Sequence, residues 1–186
     1  MSEYAHLRLA DRIDARRRPV DVLFVGINPG VRSALTGHHF AGPSNRFWKL
    51  LYESRLVPEP VTFEDDDRLP EWGLGITNLV ARPTPGVADL SRAELRAGRS
   101  ALERKVLRHR PRMVAAVGII VYRALFPEEK IVVTGRSARQ IGGTTVWVLP
   151  NPSGRNANFS YDEMLSAFRS LQRHVARNRP VNPSRR

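Results

Sequence analysis

The amino-acid sequence predicts an α/β fold, a three-layer α/β/α sandwich with a short, mostly parallel central sheet. Three observations predict it. Four short apolar runs rich in β-branched residues are typical of buried strands. Amphipathic helical patterns alternate with these runs, and such alternation gives a parallel sheet with helices on both faces. The length of 186 residues, of which 41% are hydrophobic, suits one domain with a core of its own.

Each predicted element follows from a local pattern. The strands are predicted at residues 20–26, 75–80, 113–118 and 144–149. The helices are predicted at residues 45–54 and 91–109, in a short segment that ends at Phe126, and at residues 160–175. Two helices begin with the spacing of a capping box, Ser91 with Glu94 and Ser160 with Glu163. The acidic cluster in residues 58–67 is expected to be a solvated surface loop.

Composition divides the chain into three parts. Residues 1–19 form a basic N-terminal extension, residues 20–176 a single domain, and residues 177–186 an Arg- and Pro-rich tail that we expect to fray. The N-terminus lacks the apolar core of a signal peptide, and no apolar run reaches the ~18 residues of a membrane span. We therefore expect a cytoplasmic protein that has no membrane partner.

The composition also favours a polyanionic partner and excludes several kinds of site. The chain carries 30 Lys and Arg against 18 Asp and Glu, and 27 of the 30 are Arg, whose guanidinium suits forked phosphate contacts. A coding bias of the genome is the alternative source of so many Arg, so the charge favours nucleic acid without establishing it. The lack of Cys excludes a disulfide scaffold, a thiol nucleophile, a zinc ribbon and a Cys-held iron–sulfur cluster.

Two stiff polar loops follow predicted strands. The first strand runs into GINPG (residues 26–30) and the fourth into PNPSGRN (residues 150–156). Gly allows close backbone approach to a ligand, Pro stiffens the turn, and the amide of Asn both donates and accepts hydrogen bonds. Asn-Pro and Pro-Gly pairs are also ordinary turn residues, which is the alternative. Because ligands bind beyond the carboxyl ends of parallel strands, the two loops are expected to converge on one crevice.

These loops and the blocks between them resemble those of the mismatch-specific uracil/thymine DNA glycosylases, a branch of the uracil-DNA glycosylase superfamily. The matching blocks are GINPG at 26–30, GHHF at 37–40, PSNRFW at 43–48, GITNLV with RPT within 75–84, and NPSG at 151–154. The resemblance covers residues 20–173 and implies the fold of that superfamily. Branches with an iron–sulfur cluster need Cys. The branch with Asp in its first motif is contradicted by Asn28, and a relative selective for single-stranded DNA has His where Asn151 stands.

The resemblance implies a hydrolysis in which an amide side chain positions the attacking water. Asn28 would position the water that attacks the anomeric carbon of a flipped nucleotide, but an amide cannot take the water's proton, so we expect a slow enzyme. Asn151 stands where many relatives have a His that supports the leaving base, and a neutral amide gives weaker support. No amine is placed to form a Schiff base with the sugar, which predicts a monofunctional glycosylase that leaves the strand uncleaved.

The resemblance also assigns residues around the base. Phe40 would stack on the flipped base, with core packing as the alternative. Asn78 would read the hydrogen-bonding edge of the base, with a capped strand end as the alternative. Ser33 would leave room at the pyrimidine 5-position, and Ile27 belongs to the same substrate-binding set. His39 either flanks the pocket or lies on the surface with the His that precedes it.

The loop after the fourth strand matches the segment that enters DNA. Gly154, Arg155 and Asn156 match the wedge that fills the gap left by the flipped nucleotide. Arg155 can fill the gap with its apolar stem while its guanidinium binds a phosphate or the orphaned guanine, with a plain phosphate contact as the alternative. Ser153 would bind a backbone phosphate, which positions DNA without reading its sequence.

Together these residues predict a DNA glycosylase that removes uracil and thymine from G:U and G:T mispairs in base excision repair, leaving an abasic site. Its partner is expected to be double-stranded DNA with a mispaired or damaged base. We expect no cofactor, no metal and a monomer. Two alternatives stay open: a glycosylase that prefers deaminated purines or etheno-cytosine, and a mismatch-binding protein with vestigial hydrolysis. An enzyme of nucleotide phosphates is disfavoured because the Gly-rich segments match no phosphate loop.

Overall fold

Five strands form one sheet at the centre of the molecule. The computed structural model describes residues 4, 6–16 and 19–178. The strands are β1 (Val22–Gly26), β2 (Leu74–Asn78), β3 (Met113–Val117), β4 (Gly135–Ile141) and β5 (Thr144–Leu149), in the spatial order β2-β1-β3-β5-β4. Neighbouring strands are parallel except β4, which is antiparallel to β5. The predicted α/β fold with a mostly parallel sheet is confirmed, and so are its four predicted strands.

Helices cover both faces of this sheet. They are α1 (Val31–Thr36), α2 (Phe47–Glu53), α3 (Arg92–His109), α4 (Ile119–Leu125) and α5 (Tyr161–Asn178), with 3₁₀ helices at Phe63–Trp72 and Val87–Asp89. The core on one face includes residues of α2, α5 and the longer 3₁₀ helix, and the core on the other face includes residues of α3 and α4. The predicted three layers are therefore present. Both predicted capping boxes also form, at Ser91 and at Ser160.

The central strands are apolar on both sides because each side faces a helix layer. Successive side chains of a strand point to opposite faces. In β1, Val22 and Phe24 enter the core that contains α2 and α5, whereas Leu23 and Val25 enter the core that contains α3 and α4. This alternation explains why residues 22–25 form an unbroken apolar run.

One expectation about the acidic cluster in residues 58–67 is wrong: it is not wholly a solvated loop. The cluster runs into the 3₁₀ helix Phe63–Trp72, and the side chain of Asp66 is fully buried. Its Oδ1 accepts a hydrogen bond from Arg12 Nε at 2.9 Å, and its Oδ2 accepts one from the backbone N–H of His39, also at 2.9 Å. A carboxylate is buried only with such partners, because burial alone would destabilise its charge.

The N-terminal extension contacts the domain along the outer edge of β2. The backbones of Arg12 and Ile76 exchange two hydrogen bonds, at 2.9 and 3.0 Å, and Leu9 is buried. At the other end of the chain, α5 continues through Arg177 to Asn178, the first two residues of the expected tail. Residues 1–3, 5, 17, 18 and 179–186 lie outside the described residues. The three-part division of the chain stays a prediction.

No helix in the described part of the chain combines the length and the hydropathy that crossing a membrane requires.

Candidate active site

A cavity of about 300 Å³ lies at the carboxyl edge of the sheet. Because β1, β2, β3 and β5 are parallel, their ends meet at this edge. Eight of the residues predicted for the site line the cavity: Ile27, Asn28, Ser33, His39, Phe40, Asn78, Asn151 and Ser153. A wider groove of about 740 Å³ adjoins it, and the predicted wedge residues Arg155 and Asn156 line that groove. All the predicted site residues except Gly154 thus line one of these two concavities.

The side-chain amide of Asn28 is held in one orientation. Its Nδ2 donates to the carbonyl oxygen of Arg82 at 3.0 Å and to Thr84 Oγ1 at 2.7 Å. The Thr84 hydroxyl in turn donates its only hydrogen to the carbonyl oxygen of Gly86, at 2.6 Å. Both partners of Asn28 are therefore acceptors, which fixes Nδ2 toward them. Among the described residues nothing donates to Asn28 Oδ1, so this oxygen can accept a hydrogen bond from a water.

The loop that supplies these acceptors is braced against α3. Arg82 Nε donates to Glu94 Oε1 at 2.6 Å, and Arg82 Nη2 donates to the carbonyl oxygen of Asp89 at 2.8 Å. Hydrogen bonds from Arg82, and then from Ser91, lower the pKa of Glu94 to about 2, so its carboxylate stays charged across the physiological range. The side chain of Arg82 thus fixes the loop to the capped start of α3, and the carbonyl of the same residue orients Asn28.

Phe40 lies between the core and the cavity in a strained backbone conformation. Its φ of 50° is in the left-handed region that bulky residues rarely occupy. Hydrogen bonds on both sides hold it there: the backbone N–H of His39 donates to Asp66, and that of Ala41 donates to Ser33 Oγ at 3.1 Å. The ring stacks on Phe47 with centroids 4.3 Å apart. Phe40 thus packs on the core and also lines the cavity, and its stacking on a flipped base stays a prediction.

The two adjacent histidines have different environments. His39 lines the cavity and is 2% exposed, and burial lowers its pKa, so the ring is neutral at pH 7. Its Nε2 lies 2.9 Å from the carbonyl oxygen of Ala10. His38 is half-buried on the Asp66 carboxylate, 3.1 Å away, and does not line the cavity. Of the pair that the sequence left open, only His39 flanks the pocket.

Asn78 ends β2 and lies across Gly26, the last residue of β1. Its Nδ2 is 3.4 Å from His39 Nδ1. An added Cβ on Gly26 would lie 2.6 Å from Asn78 Oδ1 and 3.5 Å from the Phe40 ring, so only Gly leaves room for this amide. The side chain lies at the end of the strand and lines the cavity beside Phe40, and its reading of the base stays a prediction.

The loop after β5 presents a second amide, of which one end is hydrogen-bonded, and an exposed cation. Asn151 Oδ1 accepts a hydrogen bond from the backbone N–H of Ser153 at 3.1 Å, and its Nδ2 has no acceptor among the described residues. Gly154 lines neither concavity: it packs against Ser44, whose carbonyl oxygen would lie 2.6 Å from an added Cβ. Arg155 is exposed at the groove.

The described residues that line the cavity supply several amides and no acid. Among the described residues, those that line it include Arg32 and no carboxylate. The described part of the chain also holds no cluster of three or more His, Asp or Glu suited to a metal ion. Such a site can stack a flat ring on Phe40, bind its polar edge with Asn78 and Asn151, and hold a water on Asn28 without deprotonating it.

Several residues of the site escaped the sequence analysis, and Thr84, Leu9 and Ala10 are three of them. Thr84 belongs to a matching block but has no role assigned there, and only the fold shows that its hydroxyl contacts Asn28. Leu9 lines the cavity, and the carbonyl of Ala10 meets His39. No sequence signal identifies these two, because they lie in the basic N-terminal extension, outside every predicted strand and helix.

A comparison with protein families gives a match over most of the chain. The family model described as the Uracil DNA glycosylase superfamily matches residues 16–172. The matched range contains the whole sheet and every residue that lines the cavity except Leu9.

Proposed function

Because the chain belongs to the uracil-DNA glycosylase superfamily, whose members are DNA N-glycosylases, we propose that it removes uracil and thymine from G:U and G:T mispairs. The reaction is hydrolysis of the N-glycosidic bond, and it leaves an abasic site. A base inside a duplex is out of reach of the cavity, so the nucleotide is flipped out of the stack first.

The fixed amide of Asn28 is the observation that carries this proposal. With Nδ2 held by Arg82 and Thr84, Oδ1 accepts a hydrogen bond from the attacking water and orients it toward the sugar. Among the residues that the structure describes, no carboxylate lines the cavity to take the proton, and general-base help typically contributes about 10²–10⁴ in rate. Turnover is slow, and the rate depends on how well the base leaves. Uracil therefore leaves faster than thymine, whose methyl group makes its anion the poorer leaving group.

The remaining cavity residues suit a pyrimidine. Phe40 offers a ring face for stacking, which is worth roughly 1–3 kcal/mol per base. The Nδ2 of Asn151 has no acceptor among the described residues and can donate to a carbonyl oxygen of the departing base. Ser33 is small and its hydroxyl is held by the backbone of Ala41, so the pyrimidine 5-position meets no bulky side chain there.

The exposed loop beside the cavity suits the contact with DNA that base flipping requires. Arg155 lies at the mouth of the groove, on a loop that Gly154 packs tightly against Ser44. Its apolar stem fills the gap in the duplex, and its guanidinium binds phosphate or the orphaned guanine. Ser153 binds a backbone phosphate. No Lys lines the described cavity, in keeping with a glycosylase that forms no Schiff base and leaves the strand intact.

Single-turnover excision tests the proposal. Duplexes that carry G:U, G:T, A:U or unpaired U are incubated with enzyme, and alkali then reveals abasic sites. We expect product from G:U and, more slowly, from G:T. Asn28→Ala abolishes it, whereas Asn178→Ala, which removes an amide at the far end of α5, leaves it unchanged.

No product from any of the four duplexes would overturn the proposal. Tight binding to G:T without product would then indicate a mismatch-binding protein, and product from hypoxanthine or etheno-cytosine would indicate the other alternative. Product from Asn28→Ala at the wild-type rate would contradict the role of that amide.

A further inference from the structure

A short N-terminal segment contributes Leu9 to the lining of the cavity. We call residues 9–12 the N-terminal strap. Leu9 lines the cavity, and Arg12 pairs with the backbone of Ile76 at the edge of β2. Charged contacts fix both sides of the strap: Arg12 contacts Asp66 at 2.9 Å, and Asp11 contacts Lys105 at 2.7 Å. Ala10, whose carbonyl oxygen faces His39, directly precedes these two anchored residues.

That carbonyl decides where the proton of His39 lies. A carbonyl oxygen only accepts hydrogen bonds, so His39 Nε2, 2.9 Å from Ala10 O, carries the hydrogen. Burial lowers the pKa of His39 and keeps the ring neutral, because the Ala10 hydrogen bond and the nearby Asp66, which raise the pKa, do not offset the cost of burial. The other ring nitrogen, Nδ1, therefore has a lone pair and can only accept.

The lone pair of His39 in turn decides the orientation of the Asn78 amide. Nδ2 of Asn78 faces His39 Nδ1 at 3.4 Å and donates to it, which places Oδ1 above Gly26. In the flipped amide, Oδ1 would face the lone pair of Nδ1 and the two would repel each other. Asn78 therefore presents its oxygen and its second N–H to the cavity in one fixed arrangement.

We propose that the strap, acting through the Ala10 carbonyl and the His39 ring, makes the cavity select uracil and thymine against cytosine. This inference deepens the proposed function and rests on it. Uracil and thymine present a ring N–H beside a carbonyl oxygen, whereas cytosine presents a ring nitrogen acceptor beside an amino group. A freely turning amide satisfies either edge, because its two ends exchange on flipping. An amide fixed by His39 pairs only with the edge of uracil or thymine, and it leaves the ring nitrogen and amino group of cytosine unpaired.

Ala10 and His39 are positioning residues for Asn78, and the test measures binding rather than excision. The duplexes carry 2′-fluoroarabino analogues of deoxyuridine or deoxycytidine, whose glycosidic bonds resist hydrolysis. Each stands opposite an abasic site so that neither base is paired. We expect the wild-type protein to bind the uracil duplex about 10- to 100-fold more tightly than the cytosine duplex, as one bidentate pair allows.

Matched histidine variants test whether the discrimination between the two bases depends on His39 itself or on the loss of any histidine nearby. His39→Leu removes the acceptor for Asn78, so its two dissociation constants should come within about threefold of each other. His38→Leu makes the same change one residue away, outside the cavity, and should keep the wild-type ratio. An unchanged ratio in His39→Leu, or a wild-type ratio near one, would overturn the inference.

A second measurement uses only the wild-type protein, so it does not depend on whether a variant folds. Long-range proton–nitrogen correlation spectra of the wild-type protein assign the protonated nitrogen of His39. A proton on Nε2 supports the inference, and a proton on Nδ1 overturns it. Neither readout depends on turnover, so absence of excision by the wild-type enzyme refutes the proposed function and is distinguishable from a failure of this inference.

Discussion

Thr84→Val replaces the hydroxyl that holds Asn28 with a methyl group of similar size. The Thr84 side chain is buried, and its hydroxyl bridges Asn28 Nδ2 at 2.7 Å and the carbonyl oxygen of Gly86 at 2.6 Å. Val has the same shape without the hydroxyl, so the cavity keeps its walls. Only the carbonyl of Arg82 then still holds the amide in its orientation.

The size of the effect follows from the two lost hydrogen bonds. A hydrogen bond of this kind contributes about 0.5–1.5 kcal/mol net, and an unpaired buried carbonyl adds a penalty of similar size. Weakening the hold on Asn28 by about 1–2 kcal/mol should lower the single-turnover rate about 5- to 30-fold. Substrate affinity should change little, because in the proposed mechanism Thr84 holds Asn28, which positions the water and does not grip the base.

Single-turnover excision from a G:U duplex, measured across enzyme concentrations, separates rate from affinity. Thr84→Ser keeps the hydroxyl and should stay within about threefold of the wild-type rate, since a single lost methyl group leaves both hydrogen bonds possible. The reasoning fails if the Val variant reacts as fast as the wild type, or if the Ser variant loses as much rate as the Val variant.

Three further predictions concern stability. Gly98→Ala should lower Tm by several degrees in thermal unfolding although Ala is the better helix former by about 1 kcal/mol, because the added Cβ would overlap the carbonyl oxygen of Leu79; a raised Tm would contradict this. Glu94→Gln should lower the free energy of unfolding by about 0.5–1 kcal/mol at pH 7, since the pair with Arg82 is partly exposed. Because the pKa of Glu94 falls from 4.5 to about 2 on folding, this difference, measured by urea unfolding, should be full above pH 4.5 and shrink as pH falls toward 2; a constant difference would count against the pair. Burial lowers the pKa of His39 below 6.5, so the unfolded chain takes up its proton first and stability should fall as pH drops below 6.5; a wild-type pH slope in His39→Gln would refute this.

The sequence predicts four of the five strands and misses β4, for a physical reason. β1 and β3 are buried on both faces, so apolar, β-branched runs identify them. β4 lies at the edge and alternates half-buried with exposed residues, among them Arg136, and this pattern resembles a polar loop. The helix α1 has six residues, too few to show a helical period.

The sequence predicts those site residues that the order of the strands brings together. It does not predict which of several identical neighbours in the sequence is buried. Asn28 and Asn151 follow parallel strands, so their convergence follows from the fold class alone. Asp66, by contrast, stands between two other Asp residues, and only the tertiary contacts of Arg12 and His39 show which of the three is buried. The roles proposed for these residues stay predictions until the excision and binding assays are made.

Backbone groups orient three of the amide side chains that line the cavity. Asn28 is directed by the Arg82 carbonyl, Asn151 by the N–H of Ser153, and Asn78 by the Ala10 carbonyl acting through His39. An amide has nearly the same shape in its two flipped states, so packing cannot select one state, but a hydrogen-bonding partner that only donates or only accepts can. A site built from amides in place of acids therefore depends on the backbone conformation of its loops. Side-chain changes at Arg82 that preserve the loop should be tolerated better than insertions that move its carbonyl.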